Sequence, residues 1–76
     1  MNKARRKQLE GISSKISEIR DDLESVMNDE EEYRDNMPEN LQGSERYESA
    51  DVACSEMQDA LDSLDEAISS IDAAQE

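Results

Sequence analysis

Seventy-six residues with eight Lys and Arg, 21 Asp and Glu and no His give a net charge of −13 and leave room for a single domain. Two Tyr, no Phe and no Trp require an aliphatic core, and one Cys without His supplies neither a metal-ligand set nor a base for a nucleophile. No apolar run approaches the ~18–20 residues of a membrane span, and the acidic balance disfavours nucleic acid and anionic lipid as direct partners.

The charge is unevenly spread. Residues 1–20 carry +4, whereas residues 21–76 set nineteen carboxylates against Arg34 and Arg46, a net −17. A chain with 38% charged residues is a candidate for disorder. Disorder predicts no periodicity among the apolar residues, so their spacing decides.

From Leu9 the apolar residues recur in steps of three and four: Leu9, Ile12, Ile16, Ile19, Leu23, Val26, then Tyr33 and Met37. With Leu9 as heptad position a and Ile12 as d, only Glu30 interrupts the run. This is the seam of a coiled coil and predicts a first helix over about residues 3–35. Its charges run against the helix dipole, with Lys3, Arg5, Arg6 and Lys7 at the start and Asp29, Glu30, Glu31, Glu32 and Asp35 at the end. Each exposed charge so placed costs about 0.3–1 kcal/mol, so contacts outside the helix are expected to favour the arrangement. At the basic end the expected contact is with Asp72 and Glu76 of the second helix. Glu30 is expected to snorkel to solvent or to pair with Arg34 or Arg46.

The break covers residues 36–44. Pro38 lacks an amide proton and disfavours helical geometry at Met37. Ser44 is placed to cap a second helix, with Glu45 and Glu48 favourable in its first turn. A short helical turn fits Pro38–Leu41, and Met37 and Leu41 are expected to fold over the end of the seam.

The second helix is expected over about residues 45–74. Its seam reads Tyr47, Ala50, Cys54, Met57, Leu61, Leu64, Ile68, Ile71, and position g reads Arg46, Ala53, Ala60, Ala67, Ala74. Adding g to a and d widens the apolar stripe to the breadth a bundle uses. Cys54 at an a position is expected to be a small buried hydrophobe.

The fold class is therefore all-α, an antiparallel, coiled-coil-like two-helix hairpin. So small a core predicts further association, either a homodimer forming a four-helix bundle or docking on another protein. Candidate core and dimer residues are Leu9, Ile12, Ile16, Ile19, Leu23, Val26, Cys54, Met57, Leu61, Leu64, Ile68, Ile71, Ala53, Ala60 and Ala67. Candidate partner-binding residues are Asp29, Glu30, Glu31, Glu32, Asp35, Glu45, Glu48 and Asp51, with Tyr33 and Tyr47 as anchors. No catalytic residue, metal site or cofactor is expected, because no cleft desolvates a carboxylate pair and no Gly-rich phosphate loop exists. The lone Cys and the lack of an apolar stretch behind the basic N-terminus predict a cytoplasmic protein without a secretory signal.

The turn Glu31-Glu32-Tyr33-Arg34-Asp35-Asn36-Met37-Pro38-Glu39-Asn40-Leu41-Gln42-Gly43-Ser44-Glu45-Arg46-Tyr47 resembles that of a group of small acidic proteins encoded by phages and prophages. The resemblance spans roughly residues 9–74, and the turn is its specific part. It implies a viral origin, residence in an infected or lysogenic bacterial host, and inhibition of a host protein. The expected function is then a non-catalytic, DNA-mimic-like inhibitor that occupies a basic nucleic-acid-binding surface of a host enzyme or defence complex. The alternative is a structural or assembly protein whose charges direct only its own antiparallel oligomer.

Overall fold

The computed structural model describes residues 1–75 and consists of two long helices, α1 (Lys3–Asp35) and α2 (Glu45–Ala74), joined by a turn containing one short 3-10 segment, Glu39–Leu41. α1 begins where the Asn2 side chain accepts a hydrogen bond from the Arg5 amide at 2.8 Å. It ends before Pro38, with the Asn36 amide donating to the Glu32 carbonyl at 3.0 Å and the Met37 amide to the Arg34 carbonyl at 3.2 Å. The 3-10 segment then reverses the chain through Leu41 N–H to the Pro38 carbonyl, 2.8 Å, and Ser44 N–H to the Leu41 carbonyl, 3.0 Å. These bonds satisfy backbone groups that the helix ends leave unpartnered.

The Ser44 hydroxyl accepts from the Tyr47 amide at 3.2 Å and so caps α2. Ser44→Ala removes this acceptor from the first turn of the second helix. The expected loss is about 1 kcal/mol of unfolding free energy, measured by urea denaturation; an unchanged midpoint would show the cap to be idle.

α1 and α2 pack antiparallel into a rod whose Cα positions extend 60 × 14 × 12 Å. The fold is the expected all-α helical hairpin. Its core is thin: Leu61 is 1% exposed, Ala50 3%, Cys54 6% and Met27 7%. Half-buried Leu9, Ile16, Leu23 and Met37 from the first half, and Tyr47, Met57, Leu64, Ile68 and Ile71 from the second, extend it toward both ends.

The phase of α1 departs from the simple a/d seam. Facing α2 are positions a and e, namely Leu9, Ile16 and Leu23 with Ser13, Arg20, Met27 and Arg34. The d residues Ile12, Ile19, Val26 and Tyr33 are left 45%, 56%, 56% and 46% exposed. The reason lies in position e. Arg20 and Arg34 must face α2 to reach Asp65 and Asp51, and Met27 enters the core between them. Turning α1 to satisfy e rotates d out of the hairpin.

Candidate interaction surface

One edge of the hairpin carries a ladder of polar contacts at heptad spacing. The Ser13 hydroxyl donates to Asp72 at 3.1 Å, Arg20 Nε donates to Asp65 at 2.6 Å, and Arg34 Nη1 donates to Asp51 at 2.9 Å. Each arginine is also held on its own helix, Arg20 by Glu24 at 2.8 Å and Arg34 by Asp35 at 2.9 Å. Hydrogen bonding to Asp65 and then to Glu24 holds the Arg20 guanidinium well above its ordinary range, and Asp35 does so first for Arg34. Both arginines stay charged at all ordinary pH values, and the ladder sets the register of the two helices. The signal was present in the chain as Ser13, Arg20 and Arg34 set in multiples of seven residues, opposite Asp72, Asp65 and Asp51 likewise.

The hairpin's closed end gathers the expected partner-binding residues. Asp29, Glu32, Asp35, Glu45, Glu48 and Asp51 are exposed, and Glu30 and Glu31 are half-buried. The two helices bring them together because Pro38 folds the second set back beside the first. Among the described residues, Arg34 is the one cation in salt-bridge range of any of them, and it takes Asp35 and Asp51. Glu30 has no salt bridge with Arg34 or Arg46 among the described residues; Glu30 and Arg46 line an open groove that Val26, Asp29, Tyr33, Ser49 and Ala50 complete. Tyr47 is half-buried under the turn, whereas Tyr33 and Leu41 remain exposed.

At the open end, Lys3, Arg5, Arg6, Lys7 and Lys15 form no salt bridge among the described residues. Asp72, the expected partner of this cluster, accepts from Ser13 instead, and Glu76 lies outside the described residues.

Cys54 is buried beside the Arg34–Asp51 rung. Burial pushes its thiol up from 9.0; Arg34 opposes this, and Glu31, Glu30 and Asp51 add to the rise. The folded state therefore favours the protonated thiol. Its stabilising effect is complete below pH 9.0 and is lost as pH climbs through the raised folded value. At neutral pH a thiol-disulfide reagent is expected to modify Cys54 at least about 100-fold more slowly in the native protein than in urea; equal rates would mean the thiol is open to solvent.

No group of three or more Cys, Asp or Glu side chains among the described residues is arranged to hold a metal ion. No helix among them is long and apolar enough to cross a membrane. No protein family, curated protein or solved structure matches the chain.

Proposed function

We propose that the protein is a non-catalytic acidic interaction module that docks its closed end and adjoining carboxylate faces onto a basic protein surface. The surface it fits is one that otherwise binds nucleic acid, on a bacterial host enzyme or defence complex, so the protein acts there as an inhibitor competing with DNA or RNA. One observation carries this reading. Of the nine acids from Asp29 to Asp51, only Asp35 and Asp51 have a cation partner among the described residues.

Seven like charges gathered by one turn raise the energy of the hairpin itself, and a cationic partner relieves them. α2 and residues 75–76 carry ten acids in 32 residues, roughly one per 5 Å of axis. The chain's 21 acids lie along a 60 Å rod, about one per 3 Å of axis, against about one charge per 1.7 Å for duplex DNA. The phage-like turn motif supports a viral origin and action in the host cytoplasm.

The test is capture of host proteins on the immobilised full-length chain at low ionic strength. The expected result is a retained nucleic-acid-binding protein that free duplex DNA or RNA elutes. Retention that nucleic acid does not reverse, or no retention, would overturn the reading.

A structural or assembly role is the second reading, favoured by the exposed Ile12, Ile19, Val26 and Tyr33. It predicts self-association and no cationic ligand.

A further inference from the structure

The apolar stripe on α1 has no covering within the hairpin. Ile12, Ile19, Val26 and Tyr33 follow one another at seven-residue steps, each about half exposed. Tyr33 and Val26 line one open groove with Arg46, Ser49 and Ala50 of the second helix, which places the stripe on the flank opposite the polar ladder. Position g of α2, with Ala53, Ala60 and Ala67, borders that same flank, two of the three half-buried and Ala60 exposed. We infer that this face is a homodimer interface, on which a second copy of the chain lies antiparallel about a two-fold axis near Asp22.

Three observations select this occupant. The first is that the stripe complements itself. Running antiparallel, Ile12 meets Tyr33 of the partner subunit and Ile19 meets Val26 of the partner subunit, and both pairs share one axis between positions 22 and 23. The alanine stripe does the same, with Ala60 against Ala67 of the partner subunit. The axis implied there falls at Ser63–Leu64, within one residue of the α1 level set by the Arg20–Asp65 rung. A single two-fold therefore serves both helices, α1 on α1 and α2 on α2. Alanine at the second seam lets the backbones close.

The second is charge. Lys15 lines the groove beside Ile12, and Asp29 lines the groove beside Val26 and Tyr33. In this register Lys15 faces Asp29 of the partner subunit, twice by symmetry. The same rotation carries the unbridged Arg5 and Lys7 toward the partner's acidic turn. A parallel dimer would instead set one acidic turn on the other, nine acids and two arginines against the same. Asp22 at the axis is the one like-charged pair in the antiparallel register, and its side chain is exposed in the single hairpin.

The third is area. The stripe runs about 32 Å at 1.5 Å per residue, and two helices side by side give a face about 20 Å wide, so roughly 600 Å² per partner is covered. Overlap along the whole 60 Å rod doubles this to about 1,200 Å², a range that brackets the ~800 Å² of a stable interface.

The pairing does not rest on the docking reading, although it shares Asp29 and Tyr33 with the proposed docking surface. The test is sedimentation equilibrium of the full chain, where a dimer mass at tens of micromolar is expected and a monomer with native helicity would overturn the inference. Ile19→Glu with Val26→Glu should yield the monomer. Because that variant alters apolar residues, two surface arms accompany it. Lys15→Asp should weaken the dimer roughly 3- to 30-fold, and adding Asp29→Lys should restore it; no rescue would exclude this register. In a Cys54→Ala background, Asp22→Cys should give a covalent dimer with a short bismaleimide. Gln8→Cys, at the same heptad position but about 42 Å from its copy at 1.5 Å per residue, should not. Crosslinking at position 8 but not 22 would exclude an axis at Asp22.

Discussion

Leu61→Ala is expected to cost about 2–4 kcal/mol, because it truncates the one side chain that the hairpin buries completely among the described residues. The rest of the core is small or peripheral: Ala50 and Cys54 have little volume, and Leu64, Met57 and Leu23 are half open to water. None has a second apolar layer behind it from which to move in and fill the space. Domains of this size hold only about 3–5 kcal/mol of net stability, so the substitution consumes most of it. Far-ultraviolet circular dichroism should show the melting midpoint fall by about 10–30 °C or the folded baseline vanish. Val52→Ala is the matched control: Val52 is 60% exposed, and its truncation should change stability by no more than about 0.5 kcal/mol. Equal effects at the two positions would mean that the two helices do not form their core at Leu61.

Reversing Glu31, Glu32 and Asp35 together to Lys should weaken binding to the captured partner by at least about 100-fold at low salt, with helicity unchanged. The three changes take the closed end, residues 29–51, from nine acids against two arginines to six against five. The helix itself is not harmed, since cations in the last turn of α1 suit its dipole better than anions do. Arg34 loses its contact with Asp35 but keeps Asp51, so the rung that ties the two helices survives. Association should slow more than dissociation quickens, and the difference from the parent chain should shrink as salt rises. Undiminished binding by the triple variant would remove the closed end from the interface.

The two predictions read different parts of the molecule. Leu61→Ala acts on folding and would reduce binding only by depopulating the hairpin. The tip reversal acts on binding with the fold intact. Measured side by side, they separate loss of structure from loss of recognition, which a single loss-of-function variant does not.

The residue pattern by itself determined the local architecture. Steps of three and four from Leu9 and from Tyr47 admit a helix and no strand. Pro38 ends the first helix because it has no amide to donate, and Ser44 starts the second because its hydroxyl reaches the Tyr47 amide. The crowding of acids at the closed end follows as well, since any hairpin at Pro38 brings Asp29–Asp35 beside Glu45–Asp51. Only the tertiary structure decided which side of α1 is inside. Apolar residues occupy d as Ile12, Ile19 and Val26, while e offers Met27 among Ser13, Arg20 and Arg34, so hydropathy alone favours d. Rotating a helix about its own axis leaves its internal hydrogen bonds untouched, so nothing local resists the choice. The partner helix sets it: Asp51, Asp65 and Asp72 stand where Arg34, Arg20 and Ser13 can reach them, and Met27 enters the core between the two arginine rungs.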